Sequence, residues 1–233
     1  MTPRAVLFDL DDTLLDYSSR VAACWAEAVA ANAPPGVSVA ALAAAVEDRR
    51  AWFWSDPVRH QIERTRMLDA WTKIATAALA MVGHPSPADG RRIAEDFAVR
   101  RRGIMRLFDD AVPCLDALRR AGCKLGMVTN GDAAMQRDKI SRFALAPWFD
   151  VILIEGEFGV GKPDPAVYRH ILSQLAVPAA QAVMVGDNLE WDVDGAQRVG
   201  VGGIWIDRAG AGMPAGMSIV PSRIVRTLRE LHP

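Results

Sequence analysis

The sequence predicts an α/β fold, a doubly wound parallel sheet with a block of helices inserted near its start. Three observations predict it. Short apolar runs, each ending in small or polar residues, recur as RAVLF (4–8), KLGMVTNGD (124–132), QAVMVGDN (181–188) and GGIWIDRAG (202–210), with VILIEGEFG (151–159) as a further candidate. Segments of helical period lie between them. Residues 17–106 carry no such apolar runs and are rich in Ala, Arg and Trp instead.

The runs come first in the argument. Four to six apolar residues without alternation suit strands covered on both faces, as in a parallel sheet. The intervening segments VPCLDALRRAG, AMQRDKISRFAL, PAVYRHILSQLAV and LEWDVDGAQRVG space their apolar residues by three and four, and Gly122 and Gly200 stand where helices end before the next strand. Alternation of this kind from residue 107 onward argues βα units wound on one sheet. Within 17–106, PPGVS (34–38) and GHPSPADG (83–90) punctuate the chain into three or four helices. The expected division is a core of 1–16 with 107–233 and a helical domain of 17–106.

Composition narrows the function. The 233 residues are 51% hydrophobic and 24% charged, with a formal net charge of −1. That is the balance of an ordinary soluble globular protein, with no footprint for a nucleic-acid polymer or an anionic membrane surface. The N-terminus MTPRAVLFDL turns acidic before a secretory segment develops, and no run is long enough to cross a bilayer, so the cytoplasm is the expected location. Cys24, Cys114 and Cys123 have no metal or disulfide spacing and are expected to be buried thiols. His60, His84, His170 and His232 share no ligand spacing either.

VLFDLDDTLLD (6–16) places four carboxylates, Asp9, Asp11, Asp12 and Asp16, within eight positions behind the first apolar run. Acids packed this closely repel, and a chain that sets them beside its core needs a cation or a use for them. Other polar residues also fall just after predicted strands: Thr129 and Asn130, Lys162 in GVGKPDP, Asp187 in VMVGD, and Asp192 five residues later. In open α/β sheets ligands bind outside the carboxyl ends of the strands, so these segments converge on one edge. Taken singly, each has a plainer reading, since acids after strands often cap helices or form turns. Asp12, Asp16, Asp132, Asp164 and Asp194 are read in that way, with Asp164 as an N-cap before PAVY.

D-x-D-x-T at Asp9, Asp11 and Thr13, the strand-closing Thr129, the Lys of GKPDP, and G-D-x-x-x-x-D ending at Asp192 resemble the four ordered motifs of the haloacid dehalogenase (HAD) superfamily. The resemblance spans nearly the whole chain. Asn188 stands where other small polar residues are also common in that family. The inserted helices resemble the C1-type cap of its subfamily I, and the fold implied is the HAD-like, Rossmannoid sheet.

The resemblance implies a reaction. Asp9 attacks phosphorus and forms an aspartyl-phosphate, dividing one hard step into two. Asp11 protonates the leaving oxygen and later deprotonates water, while Thr13 supports the loop. Mg²⁺, a hard cation, fits Asp9, the Asp11 main-chain carbonyl and Asp187. Lys162, Thr129 and Asn130 hold phosphoryl oxygens, and Asp192 orients Lys162 or a metal-bound water. Family members that displace halide resemble this chain less, because halide needs no proton and their second position is non-acidic. The expected activity is therefore Mg²⁺-dependent hydrolysis of a small phosphorylated metabolite such as a sugar phosphate or nucleotide. A phosphosugar mutase, a haloacid dehalogenase and a non-catalytic binding protein remain as alternatives.

AWFWSDPVRHQIERTRMLDAW (51–71) holds Trp52, Trp54 and Trp71 with Arg59, Arg64 and Arg66. Aromatics so spaced suit core packing. The sharper reading gives Arg59 or Arg64 a carboxylate or second phosphate of the substrate.

Overall fold

The computed structural model describes residues 3–231, which leaves His232 outside the described residues. The chain forms two compact units, Met1–Asp16 with Arg106–Pro233, and Tyr17–Met105.

In chain order the elements are β1 (Ala5–Phe8), β2 (Leu15–Asp16), α1 (Val21–Asn32), α2 (Val39–Trp54), α3 (Pro57–Glu63), α4 (Met67–Met81) and α5 (Pro87–Ile104). They continue as β3 (Arg106–Leu107), α6 (Ala111–Arg120), β4 (Lys124–Thr129), α7 (Ala133–Arg142), β5 (Val151–Ile154), α8 (Glu155–Phe158) and α9 (Pro165–Leu175). β6 (Ala182–Gly186), α10 (Gly195–Gln197), β7 (Gly202–Ile206) and β8 (Arg223–Val225) complete the chain.

The first unit is a six-stranded sheet of order β5-β4-β1-β6-β7-β8 with every pairing parallel. β1 is central, buried at all four positions, and its last residue Phe8 pairs with Met127 of β4 and Val185 of β6. That register aligns the carboxyl ends of the three middle strands. The chain winds from β1 to β4 and β5 on one side, and to β6, β7 and β8 on the other, so β1 marks the switch point.

Helices cover the sheet because their apolar faces demand it. α9 starts at the Asp164 cap and Pro165, and buries Val167, Tyr168, Ile171, Leu172 and Leu175 in a cluster with Leu7, Val128, Leu153 and Met184. Each such side chain contributes about 1.5–3 kcal/mol of apolar burial. Gly126 permits the close approach, since a Cβ there would lie 2.7 Å from both Ile171 and Leu7. β8 and the antiparallel pair β2–β3, where Leu15 faces Leu107, are elements that the apolar runs do not reveal.

The second unit is wholly helical. Trp25 stacks on Phe97 at 3.9 Å between ring centroids, and Trp71 meets Phe97 edge-on at 5.0 Å. It contains five helices rather than three or four. The extra break lies at Ser55–Asp56–Pro57, where Asp56 accepts from the Arg59 N–H and Pro57 opens α3. No helix among the described residues is long and apolar enough to cross a membrane.

LEWDVDGAQRVG is the second departure from the expected pattern. Leu189–Asp194 forms a π-helical turn, followed by the short α10. Asn188 opens it: its side chain accepts from the N–H groups of Glu190 and Trp191, and its carbonyl accepts from both Asp192 and, five residues on, Val193. The widened turn carries Asp192 back toward the strand ends.

Candidate active site

Asp9 follows β1 directly, and its main-chain N–H donates to the Val185 carbonyl at 3.0 Å. The next residues form a tight turn, with the N–H groups of Leu14 and Leu15 both donating to the Leu10 carbonyl at 3.0 Å. Asp12 takes a left-handed φ of 60° to close it, a conformation that Asp tolerates better than most residues. The turn puts the buried Thr13 hydroxyl 3.2 Å from Asp9 Oδ2, to which it donates.

Lys162 reaches the same carboxylate from the loop before α9. Its Nζ donates to Asp9 Oδ1 and to Asp192 Oδ1, each at 2.6 Å, and its side chain is 2% exposed. Two reciprocal bonds hold its main chain: Asn130 Nδ2 donates to the Lys162 carbonyl at 2.9 Å, and the Lys162 N–H donates to Asn130 Oδ1 at 2.8 Å. The Asn130 side-chain amide thus serves the site by fixing the main chain of Lys162. Gly161 leaves room for this, since a Cβ there would fall 2.6 Å from Asn130 Oδ1.

Asp187, past β6, and Asp192, on the π turn, complete an acidic cluster. Oxygens of Asp9, Asp187 and Asp192 lie within 4.8 Å of one another. Asp192 accepts from Lys162 with one oxygen at 2.6 Å and from the Asn188 N–H with the other at 3.0 Å, so both its oxygens already have partners. Trp205 Nε1 donates to the Asp187 carbonyl at 2.7 Å and anchors that residue. Gly186 lets Asp192 lie against the strand end, because a Cβ would stand 2.2 Å from its carboxyl group.

The electrostatics follow from this crowding. Burial, countered by Lys162 and reinforced by Asp192, raises the Asp9 pKa to about 7. Burial and then the neighbouring charges of Asp9 and Asp192 raise Asp187 to about 9. Burial pulls the Lys162 ammonium down, but Asp192 and Asp9 more than offset it and hold it above the usual lysine range. With all three ionised, the carboxylates would exceed the one ammonium by two negative charges, and the raised pKa values of Asp9 and Asp187 express that excess. An all-oxygen donor set with that excess fits a hard divalent cation.

The second acid of the pair has a partner that no motif announced. Lys139 Nζ, on α7, donates to Asp11 Oδ1 at 2.9 Å and Oδ2 at 2.7 Å, and to Gln136 Oε1 at 2.7 Å. Gln136 Nε2 in turn donates to Asp11 Oδ2 at 3.2 Å and to Thr129 Oγ1. Thr129, buried at the end of β4, accepts that bond and donates its own hydroxyl proton to the Asn130 carbonyl at 3.5 Å, a long bond. Glu155 is a further unforeseen member, buried and accepting from the Gly131 N–H at 2.8 Å. The signal for Gln136 and Lys139 was their i, i+3 spacing on the face shared with the buried Ile140.

Arg59 and Arg64 belong to the helical unit. The Arg59 guanidinium lies 3.9 Å over the Trp52 ring and donates to the Trp52 and Phe53 carbonyls, closing the last turn of α2. Those bonds give it a structural task in the helical unit. Arg64 is buried after α3, and its N–H donates to the His60 carbonyl. The remaining described histidines are structural: His84 pairs with Asp89 at 2.8 Å, and His170 packs on Phe158.

A family model described as haloacid dehalogenase-like hydrolase matches residues 3–200. The chain belongs to that family. It is 34% identical over 184 residues to phosphoserine phosphatase of Thermus thermophilus, covering 79% of this chain and 68% of the relative. Identity to glyceraldehyde 3-phosphate phosphatase of Methanopyrus kandleri is 30%, over 85% of this chain and 81% of the relative. Among solved structures, the HAD-hydrolase YfnB of Bacillus subtilis, bound to magnesium, superposes with a TM-score of 0.75 at 22% identity, covering 99% of this chain and 97% of that one. A 2-haloacid dehalogenase of Pseudomonas syringae superposes at 0.66 with 30% identity, over 99% and 96%. The chain is thus a hydrolase of the HAD superfamily with phosphatases among its relatives.

Proposed function

We propose that this hydrolase cleaves phosphomonoesters of small phosphorylated metabolites through an aspartyl-phosphate on Asp9, with Mg²⁺ as cofactor and with Tyr17–Met105 as the cap that selects the ester. The observation that carries the reading is the pair Asp9 and Asp11, two acids two residues apart with separate cationic partners, Lys162 and Lys139. A nucleophile and a proton carrier need such distinct surroundings. The relatives' named substrates are consistent in class: phosphoserine, glyceraldehyde 3-phosphate and, for a rat relative 36% identical over 62% of this chain, N-acylneuraminate 9-phosphate.

Asp9, the Asp11 carbonyl and Asp187 are the groups that would hold Mg²⁺, which supplies positive charge to the phosphoryl oxygens and lets two anions approach. Lys162, fixed by Asn130 and Asp192, adds charge at Asp9 itself. In the first step an Asp9 oxygen bonds to phosphorus, the ester P–O bond breaks, and the Asp11 proton passes to the departing oxygen. In the second, Asp11 takes a proton from water as the water oxygen bonds to phosphorus and the Asp9–phosphorus bond breaks. Thr129 exchanges its long bond to the Asn130 carbonyl for one to a phosphoryl oxygen. The acidic Asp11 favours this over halide displacement, whose leaving group needs no proton.

The test is phosphate release from a panel of phosphomonoesters, with Mg²⁺ or EDTA, for wild type and Asp9→Asn. Metal-dependent turnover abolished by the substitution is the expected result. Isomerised phosphate ester in place of free phosphate, or halide released from a 2-haloacid, would replace the reading with mutase or dehalogenase.

A further inference from the structure

Asp11 is held in a cradle built by two residues of α7, Gln136 and Lys139. The Lys139 side chain is 4% exposed, and its three donors meet three acceptors: both oxygens of Asp11 and Oε1 of Gln136. Two bonds to one carboxylate fix its rotation about the Cβ–Cγ axis, which a single bond would not. Gln136, one helical turn earlier, bonds back to Asp11 Oδ2 and across to Thr129 Oγ1. The triangle is therefore closed and tied to the end of β4. A buried lysine is retained in a helix only where its charge is matched, and here the match lies 128 residues away in sequence.

We propose that Lys139, with Gln136, is a positioning residue for proton transfer: it sets the Asp11 carboxyl group and couples it to the phosphate-binding Thr129. This rests on the reading of Asp11 as general acid and base. Lys139 touches neither the phosphoryl group nor the nucleophile in this account and acts only through Asp11. Its removal should then slow the cleavage of esters whose leaving oxygen must be protonated, and spare esters whose leaving group departs as a stable anion. Misplacing a catalytic group by about 1 Å costs on the order of 10²-fold, and that sets the scale.

The experiment compares kcat/KM, which reports the first phosphoryl transfer, for p-nitrophenyl phosphate and for the alkyl phosphate turned over best in the panel. Wild type, Lys139→Met, Asp11→Asn and the double variant are measured. Lys139→Met should lower the alkyl value about 10²-fold and the aryl value several-fold at most. In the Asp11→Asn background it should add little, since residues acting through one another are not additive. Lys139→Arg, which keeps the cation, should recover part of the alkyl loss. Equal loss on both esters, or full additivity with Asp11→Asn, overturns the inference and leaves Lys139 a structural residue. Where Lys139→Met yields no folded protein, Lys139→Gln is read by the same criteria. Should Asp11→Asn itself spare the alkyl ester, the general-acid reading falls and the inference with it.

Discussion

Replacing Lys162 by Met tests the electrostatic argument most directly. The side chain lies at 2.6 Å from two carboxylates whose side chains are 10% and 1% exposed. Met keeps the volume and the aliphatic stem but removes the charge, so Asp9 and Asp192 are left buried together. Removing one partner of a buried pair costs about 3–5 kcal/mol. At roughly 2–4 °C per kcal/mol for a chain of this size, the melting temperature should fall by about 6–20 °C.

The sign of the pH dependence follows from Asp9. Its folded pKa, about 7 with Lys162 present, is raised above the unfolded value, so its contribution to stability is present at low pH and lost as pH rises through the folded value. Without the ammonium that pKa climbs further. The deficit of Lys162→Met against wild type should therefore be largest above pH 7 and shrink as the pH falls below it. Wild-type Lys162, held above the usual lysine range, stays charged throughout and adds no slope of its own. Thermal melts in EDTA across this range measure the stability, and phosphate release in Mg²⁺ should fall on the order of 10²–10³-fold. Wild-type stability in the variant, or a deficit that widens on acidification, would refute the reasoning.

Three further outcomes are expected. Mg²⁺ should raise the melting temperature more at about pH 8 than at about pH 5.5, because binding must displace protons that the raised pKa values of Asp9 and Asp187 retain; melts with Mg²⁺ or EDTA at each pH check it. Gly186→Ala puts a methyl group 2.2 Å from the Asp192 carboxyl, so Asp192 must move from Lys162, and kcat should drop about 10²-fold in the phosphate assay. Asp110→Asn should destabilise by about 2 kcal/mol at pH 7, since Asp110 accepts from both Arg208 Nη atoms, Thr227 Oγ1 and the Leu228 N–H. Its pKa is depressed by those donors despite burial, so the wild-type advantage should vanish as pH falls through the folded value, as acid-side melts would show.

How far the sequence discloses this molecule depends on the range of the interactions. β1, β4, β5, β6 and β7 were legible because a strand covered on both faces has no polar alternation to obscure it. The break before α3 does not show in the apolar spacing of residues 51–71, because the local Asp56–Pro57 cap sets it rather than any change in hydrophobic period. In LEWDVDGAQRVG the apolar spacing suits an α-helix, yet the Asn188 side chain and carbonyl bonds decide the winding. Asp9, Asp187 and Lys162 stood out because each sits in a short pattern at a strand end or loop. Lys139 did not, because AAMQRDKISR is polar enough to read as a solvated helix, and the carboxylate that buries its charge is remote in sequence.

Sheet order also explains how the acids of VLFDLDDTLLD coexist. β1 lies between β4 and β6, so the D-x-D pair faces two flanks of opposite character. The flank of β4 and β5 supplies the cations, Lys139 from α7 and Lys162 from the loop before α9, while the β6 flank supplies Asp187 and Asp192. Lys162 crosses between them, bonded to Asp9 and to Asp192. Under the proposed reading, a cation is drawn to the β6 side of Asp9 and an anionic phosphoryl group to the β4 side, beside Thr129. The polarity of the site is a consequence of topology: had the chain wound β4 and β6 onto the same side of β1, both acids would share one field, and neither could differ from the other in role.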